Sequence, residues 1–240
     1  MKTQRVRADR LLAVQSGLGL CPGEAIAPRR GGWDALASVA VSFPTKLDRG
    51  REMKLKEKVA IVTGGSGGIG QGICERLAKE GAKIAIDYHS DAEAARQIQA
   101  KIEQIGSQAF ILQTDLSKVD EIDNLIRESI DRFGKVDILV NSAGIEKHAD
   151  FWDVTESDYD LVMNLNLKAA FFTTQAVVKH FRETSNQGRI INISSVHEEL
   201  PFPHFTSYCA SKGGMKMMMR NLAVELGPMG ITINNVAPGA

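Results

Sequence analysis

The sequence predicts an α/β fold, in which a doubly wound parallel sheet carries helices on both faces. From Lys58 onward, short aliphatic runs alternate with longer amphipathic runs. Continuous apolar strands separated by helices are typical of a parallel sheet that is buried on both sides. Right-handed crossovers between such strands give a Rossmann-type sheet.

Six strands and five helices account for the pattern. The strands are short runs rich in β-branched and aliphatic residues, predicted at 59–62, 83–87, 108–113, 136–140, 188–193 and 231–236. The helices are the amphipathic runs between them, predicted at 69–80, 92–105, 118–133, 156–181 and 206–226. Residues 54–240 should therefore form a single domain.

Residues 1–53 differ from the remainder of the chain. They are rich in arginine, are broken by prolines and paired glycines, and show no sustained helical or strand period. We expect a disordered extension, dispensable for the fold. A secretory signal, a lipoprotein signal and an organelle transit peptide are the alternatives. Polar residues within 11–20 argue against a secretory signal, and Leu20 before Cys21 argues against a lipoprotein signal. Several acidic residues argue against a transit peptide.

Composition excludes several classes of function. The formal net charge is zero, which argues against nucleic acid or an anionic membrane as the main partner. The three cysteines are widely separated and contain no CxxC pair, so we expect neither a disulfide framework nor a metal site. No apolar run approaches the ~20 residues that span a bilayer. A cytoplasmic protein with a small-molecule substrate fits best.

A glycine-rich loop, Thr63-Gly-Gly-Ser-Gly-Gly-Ile-Gly70, follows the first strand and opens the first helix. Glycine permits positive φ angles and lets the backbone approach a pyrophosphate without a Cβ in the way. The N-terminus of the new helix directs free N–H groups at such an anion. The loop therefore predicts a dinucleotide site; the alternative is a tight turn without a ligand. The loop residues that we expect to contact the dinucleotide are Gly64, Ser66, Gly68, Ile69 and Gly70.

Tyr208 and Lys212 lie four residues apart in a predicted helix, so both project from the same face. The lysine ammonium can stabilise a phenolate and lower the tyrosine pKa, which is normally about 10. A phenolate can take the proton of an alcohol as its hydride leaves. Ser195 precedes this pair and can hydrogen-bond the reacting oxygen. The pattern indicates an alcohol/carbonyl oxidoreductase, although a lone tyrosine or serine is usually structural.

Further short motifs follow the predicted strands and helices in order. They are Asp115-Leu116 after the third strand, Asn141-Ser142-Ala143-Gly144 after the fourth, Asn166 in the long helix and Pro238-Gly239 after the sixth strand. Together with the glycine loop, this set resembles the short-chain dehydrogenase/reductase family over residues 55–240. The resemblance implies four catalytic residues, Asn166, Ser195, Tyr208 and Lys212.

The same resemblance implies a nicotinamide cofactor, NAD or NADP. Asp115 would lie near its adenine, Lys212 would hold the nicotinamide ribose, and Asn166 would position a water that relays protons. Beyond the glycine loop, the implied cofactor residues are Asp87, Tyr88, Asp115, Leu116, Asn141, Ala143, Gly144, Tyr208, Lys212, Pro238 and Gly239.

The choice between NAD and NADP stays open. An acidic residue after the second strand can bind the adenosine ribose and exclude the extra phosphate of NADP. Asp87 lies one residue before the position expected for that acid, which Tyr88 occupies, and neighbouring residues of a strand face opposite ways. His89 stands where many NADP-accepting relatives carry arginine.

The substrate is predicted from the segments around Ser195 and Tyr208 and from Glu146. They resemble bacterial glucose 1-dehydrogenases within the family, which implies oxidation of a sugar such as D-glucose. Glu146 and His197 could then hydrogen-bond sugar hydroxyls beside Ser195 and Tyr208. A 3-oxoacyl or other carbonyl reductase is the alternative enzyme.

Family members continue beyond the Pro-Gly element, so we expect a chain that lacks the usual C-terminal part and the final strand. An alternative of another class is therefore a truncated fragment that binds cofactor without turnover. The family resemblance also implies a homo-oligomer built through the helices at 156–181 and 206–226.

Overall fold

The computed structural model describes residues 53–239. The six strands are β1 (Val59–Thr63), β2 (Lys83–Tyr88), β3 (Ala109–Gln113), β4 (Ile138–Asn141), β5 (Arg189–Ile193) and β6 (Thr232–Val236). The α-helices are α1 (Gly68–Lys79), α2 (Ala92–Ile105), α3 (Val119–Phe133), α4 (Glu156–Met163), α5 (Ala169–Glu183) and α6 (Thr206–Leu226). The predicted extension at residues 1–53 lies outside the described residues, apart from Met53.

All six strands pair in parallel, in the order β3-β2-β1-β4-β5-β6. The predicted doubly wound, Rossmann-type sheet is therefore confirmed. The strand order reverses between β1 and β4, and in open sheets of this kind ligands bind in the crevice at the carboxyl ends of the strands there. Among residues 53–239, no helix is both long enough and apolar enough to cross a membrane.

The alternation of side chains along β1 divides the core into two layers. Ala60 and Val62 pack on one face with residues of α1 and α2, including Ile98. Ile61 points to the other face and packs with residues of α3 and α5, including Phe181. Successive strand residues point to opposite faces, so each strand contributes apolar side chains to both layers. This explains why the strands are continuously apolar.

The long helix predicted at 156–181 is wrong in one respect. The chain forms α4 and α5 with a π-helical turn, Asn164–Lys168, between them. The Ala169 N–H bonds to the carbonyl of Asn164, five residues back. The amphipathic period does not reveal this turn because it inserts one residue without ending the helix. Such turns are frequent at functional sites, and this one contains Asn166.

Candidate active site

The glycine loop between β1 and α1 requires glycine at two close approaches. A Cβ on Gly70 would lie 2.2 Å from the Gly64 carbonyl oxygen, and one on Gly64 would lie 2.9 Å from Ala143 Cα. Gly64 also has a φ of +62°, a conformation that glycine adopts without strain. The loop is thus packed on its inner side against both α1 and the segment after β4.

The outer side of the same loop is open. A Cβ added to Gly67 or Gly68 would meet nothing within 4 Å. Gly67 caps α1 without a side-chain hydrogen bond, so the first N–H groups of α1 keep no side-chain acceptor at the cap. A helix N-terminus with free N–H groups suits a phosphate. The loop therefore fits the pyrophosphate of a dinucleotide.

Asp87 lies beneath this loop and does not face the crevice, which corrects its assignment as a cofactor contact. Its side chain is 1% exposed, and its Oδ2 accepts the Gly64 N–H at 2.9 Å. The Asp87 carbonyl accepts the Gly65 N–H at 2.8 Å. Tyr88, the next residue, is half-buried and His89 is exposed. The carboxylate therefore supports the loop from within.

Burial raises the pKa of Asp87 to about 7, and the hydrogen bond from Gly64 opposes that rise only in part. The Thr114 hydroxyl lies near Asp87 and also opposes the rise. Neither Asp87 Oδ1 nor Thr114 Oγ1 has a hydrogen-bond partner among the described residues. A buried carboxylate with one unpaired oxygen is costly in its charged form.

The two residues expected near the adenine differ in environment. Asp115 stays partly exposed, and its Oδ1 accepts the hydroxyl of Ser117 at 2.7 Å. That hydrogen bond, with further help from Lys118, lowers the pKa of Asp115. Leu116 is 5% exposed and packs in the core. Its side chain is therefore part of the core, and its place in the cofactor set stays a prediction that only its backbone can satisfy.

The side chain of Asn141 is also structural, so a contact of this residue with the cofactor stays a prediction for its backbone. It is 3% exposed, and its amide donates to the hydroxyl of Thr174 at 3.1 Å and to Asn192 Oδ1 at 2.9 Å. Its own Oδ1 accepts the Thr173 hydroxyl at 2.6 Å. Every polar atom of the side chain is thus used to join β4 to β5 and α5.

Residues 142–145 then bring the backbone to the side chains predicted to be catalytic. The N–H groups of Ser142 and Ala143 donate to Thr63 Oγ1 at 3.0 and 3.2 Å. A Cβ on Gly144 would lie 3.3 Å from Asn166 Oδ1 and 3.8 Å from Lys212 Nζ. Gly144 therefore lies directly against two of the predicted catalytic residues.

Asn166 is fully buried in the π-helical turn. Its Oδ1 accepts the Ile145 N–H at 2.8 Å, and its amide donates to the Ile145 carbonyl at 2.8 Å and to Ser211 Oγ at 3.1 Å. The side chain thus fixes the segment after β4 against α6. The expected role in holding a relay water is not visible in its side-chain contacts, which are all to protein.

Ser195, Tyr208 and Lys212 are brought together by β5 and α6. Lys212 is 4% exposed, and its Nζ donates to the Ile193 carbonyl at 2.8 Å. The same Nζ lies 5.5 Å from the centroid of the Tyr208 ring. Ser195 Oγ accepts the His197 N–H at 3.2 Å, so the hydroxyl proton of Ser195 remains free to donate.

The pKa of Tyr208 is raised and not lowered, which corrects the expectation from its spacing to Lys212. Burial is the main cause, the nearby Ser195 hydroxyl opposes it, and the charge of Glu146 adds to it. Burial also lowers the pKa of Lys212 to about 8, against the opposing charge of Glu198. Tyr208 therefore rests as a phenol at neutral pH.

Two loops form a cleft that includes Phe205, whose ring centroid lies 6.2 Å from that of Tyr208. Its volume is about 590 Å³. His148 stacks on Phe205 with a centroid distance of 4.1 Å, and His204 Nδ1 lies 2.7 Å from Asp150 Oδ1. The Ala149 N–H donates to the His204 carbonyl at 3.1 Å. The lining is mainly aromatic and imidazole: His148, Ala149, Asp150, Phe202, Pro203, His204 and Phe205.

The predicted substrate residues lie at the edge of this cleft. The His197 ring is 6.0 Å from the Tyr208 ring, edge to face, and its Nδ1 lies 3.1 Å from the Leu200 carbonyl. Glu146 is exposed and pairs with His148 at 3.3 Å. The sequence did not single out the ring stack of His148 and Phe205, since nothing in two distant loop residues indicates that they touch.

Pro238 and Gly239 follow β6 and lie against Val196 in the segment after β5. The Pro238 carbonyl accepts the Val196 N–H at 3.1 Å, and the Val236 carbonyl accepts the Ser194 N–H at 2.7 Å. These bonds extend the β5–β6 pairing past Ser195. Across residues 53–239, no group of three or more His, Cys, Asp or Glu side chains could hold a metal ion.

Comparison with known proteins identifies relatives of this chain. The family model described as short chain dehydrogenase matches residues 58–240. A 3beta-hydroxysteroid dehydrogenase of Eggerthella lenta is 40% identical over 186 residues, which cover 78% of this chain and 71% of that protein. A hydroxynaphthalene reductase-like protein of Metarhizium majus is 40% identical over 186 residues, which cover 77% of this chain and 68% of that protein.

Solved structures agree. A dehydrogenase/reductase from Sinorhizobium meliloti superimposes with a TM-score of 0.75 at 42% identity, covering 78% of this chain and 74% of its own. A short chain dehydrogenase from Burkholderia cenocepacia, in complex with NADP, has a TM-score of 0.73 at 38% identity, covering 78% and 75%. The chain belongs to the short-chain dehydrogenase family of oxidoreductases.

Proposed function

We propose that the chain is an NAD(P)-dependent oxidoreductase that interconverts a ring-borne secondary alcohol and its ketone. One observation carries this proposal: Phe205, whose ring lies edge to face against the Tyr208 ring, also lines a cleft of about 590 Å³ with a largely aromatic wall. Phe205 lies 6.2 Å from Tyr208 and continues into the cleft wall. A flat ring substrate can stack on such a wall while its hydroxyl reaches the tyrosine.

The cofactor would bind along the carboxyl ends of β1 and β4. Its pyrophosphate would lie on the open side of Gly67 and Gly68, at the N-terminus of α1. When bound, the nicotinamide accepts or gives the hydride. Because Asp87 is turned under the loop, its carboxylate does not repel the extra phosphate of NADP. We expect NADP to be accepted as well as NAD.

The chain's own groups handle the proton. Tyr208 as a phenol donates to the carbonyl oxygen in reduction, and as a phenolate it accepts the hydroxyl proton in oxidation. The Lys212 ammonium, 5.5 Å from the ring centroid, stabilises the phenolate. The free hydroxyl proton of Ser195 steadies the charge on the reacting oxygen. Since the pKa of Tyr208 is raised, we expect reduction at neutral pH and oxidation at higher pH.

A sugar such as D-glucose is the second candidate substrate. The Leu200 carbonyl only accepts hydrogen bonds, so His197 Nδ1 carries the proton and Nε2 is left as an acceptor. Glu146 is near enough to raise the pKa of Tyr208 by its charge. These two acceptors beside the tyrosine support binding of hydroxyls. The aromatic wall favours a ring with an apolar face, as in a hydroxysteroid or a fused-ring ketone.

The test is a substrate panel with the purified 240-residue chain. NAD and NADP, oxidised or reduced, are each paired with D-glucose, a 3β-hydroxysteroid, 1-tetralone and a 3-oxoacyl thioester. Turnover of a ring substrate that Tyr208→Phe abolishes and Tyr159→Phe preserves supports the proposal; Tyr159 is an exposed tyrosine on α4. Cofactor binding without turnover of any substrate refutes it and supports a cofactor-binding fragment. Turnover of the thioester alone supports a 3-oxoacyl reductase.

We also propose self-association through α4, α5 and α6. These helices expose large apolar side chains: Tyr159, Leu161, Phe171, Met217 and Val224. Val224 is 78% exposed, and apolar surface of this kind is typical of a subunit interface. Light scattering after size exclusion would give the mass, and a purely monomeric chain at micromolar concentration contradicts the proposal. Cytoplasmic location remains a prediction from composition.

A further inference from the structure

Helix α6 carries a second lysine one turn after Lys212. Lys216 lies four residues further on and therefore on the same face of the helix. Neither is well hydrated: Lys212 is 4% exposed, and the Lys216 side chain is 13% exposed. Two like charges at this spacing destabilise each other, and burial strengthens the repulsion. The pair requires a fixed negative charge nearby.

Glu198 occupies the place for that charge. It ends the short 3₁₀ helix Val196–Glu198, directly after Ser195, and its side chain is 12% exposed. Its Oε1 lies 3.9 Å from Lys216 Nζ. Its Oε2 accepts the amide of Asn235 on β6 at 3.0 Å. The carboxylate is thus held from α6 on one side and from β6 on the other.

Asn235 is itself fixed by the sheet. Its Oδ1 accepts the amide of Asn192 on β5 at 3.0 Å, which leaves its own amide to donate to Glu198. Glu199 also contacts Lys216, but its side chain is 66% exposed. Exposed ion pairs contribute little because water screens them. Of these two neighbouring carboxylates, only Glu198 is both little exposed and anchored to the sheet.

We propose that Glu198 is a positioning residue for catalysis: anchored by Asn235, it supplies the carboxylate that balances Lys212 and Lys216 and keeps Lys212 in its ammonium form beside Tyr208. This proposal rests on the catalytic assignment of Lys212 made above. It concerns a residue that touches neither the reacting atoms nor the cofactor loop, and that acts only through the lysine.

The charges around Lys212 agree with this role. Burial lowers the pKa of Lys212, and Glu198 is the group whose charge opposes that fall. The ionisable groups near Lys212 are Tyr208 and Lys216 on its own helix and Glu198 on the segment packed against it, while His197, Cys209 and Glu146 lie near Tyr208. Of the two carboxylates in this set, Glu146 lies on the Tyr208 side and is exposed. Removing Glu198 should therefore let Lys212 lose its proton at lower pH.

The test measures the protonation of Lys212 directly and separately from turnover. Lysine labelled with ¹³C at Cε is titrated by NMR in the full chain, and Lys212→Met assigns the signal. In Glu198→Gln the midpoint should fall by about 0.5 to 1 pH unit, as expected for loss of a charge several ångströms away. Glu199→Gln is the matched control and should leave the midpoint unchanged.

The pH dependence of kcat gives the second readout. The alkaline limb should move to lower pH in Glu198→Gln and stay in place in Glu199→Gln. An unchanged Lys212 midpoint in Glu198→Gln overturns the proposal, even in an active enzyme. A shifted midpoint in a chain without turnover supports the charge balance while refuting the proposed function. If Glu198→Gln does not fold, Asn235→Ala releases the carboxylate and should shift the midpoint in the same direction by less; no shift there overturns the proposal.

Discussion

Replacing Asp87 by asparagine should stabilise the chain, and increasingly so as the pH rises. The carboxylate is 1% exposed beneath the glycine loop, and one of its oxygens has no partner among the described residues. Asparagine keeps the acceptor for the Gly64 N–H. Its amide can also donate to Thr114 Oγ1, which has no partner in the described part of the chain. The substitution removes a buried charge and leaves the loop supported.

The magnitude follows from proton linkage. The pKa of Asp87 is raised from 3.8 to about 7, so the folded chain holds this proton more tightly than the unfolded chain. Stability is therefore lost as pH rises from about 4 to about 7, and the loss is complete above pH 7. Between pH 5 and pH 8 the linkage amounts to about 2 to 3 kcal/mol. In a domain of this size that corresponds to about 5 to 10 °C in Tm.

Urea unfolding of the wild type and of Asp87→Asn at pH 5 and pH 8 gives the required difference. The advantage of the variant should be larger at pH 8 than at pH 5 by the amount above. Asp131→Asn, an exposed carboxylate on α3, is the control and should show no such difference. An advantage of Asp87→Asn that is equal at both pH values, or a variant that is less stable at pH 8, would refute the reasoning.

Three further predictions concern the loop, the cleft and the sheet. Gly70→Ala places a Cβ 2.2 Å from the Gly64 carbonyl oxygen and should weaken NADP binding at least about tenfold in a fluorescence titration. Gly72→Ala, whose added Cβ would meet nothing within 4 Å, is the control and should leave NADP binding unchanged. Phe205→Ala removes the ring stacked on His148 and should raise KM for a ring substrate about five- to tenfold, for about 1 kcal/mol of lost stacking, with little change in kcat. Asn141→Ala removes the amide that donates to the buried Thr174 hydroxyl and to the buried Asn192 Oδ1 and should destabilise the chain by about 2 to 4 kcal/mol in urea unfolding. A loss below about 0.5 kcal/mol, on the order of a surface substitution, contradicts that role.

The sequence predicted the sheet, because its strands are encoded locally, and the proximity of Tyr208 and Lys212 was also predictable, while their catalytic roles stay predictions. Apolar runs indicate strands wherever they occur, and Tyr208 and Lys212 share a helix face by spacing alone. The alternation of side chains along β2 already separated Asp87 from the expected position, but its hydrogen bond with the Gly64 N–H depends on how the glycine loop folds over β2. The raised pKa of Tyr208 depends on how deeply α6 is buried, which spacing does not report.

The cleft wall and the surroundings of Glu198 could not be predicted from the sequence, because they depend on contacts between distant segments. Phe205 and His148 come from separate loops, and Asn235 reaches Glu198 across 37 residues of sequence. Such contacts require the three-dimensional arrangement of β4, β5 and β6. The family resemblance supplied residue roles for the catalytic group, but the side-chain contacts of Leu116 and Asn141 place both in the structural framework.

The row of asparagine side chains across β4, β5 and β6 has a consequence for the order in which parts of the molecule can fold. Asn141, Asn192 and Asn235 occupy paired register positions on β4, β5 and β6, and a slip of one residue would turn any of them to the opposite face. β6 follows the other five strands in the chain and leaves the ribosome after them. The glycine loop can therefore form during synthesis, whereas Glu198 gains its anchor only after β6 has docked. The site expected to bind the nucleotide can therefore fold before the charge balance proposed for Lys212 is established.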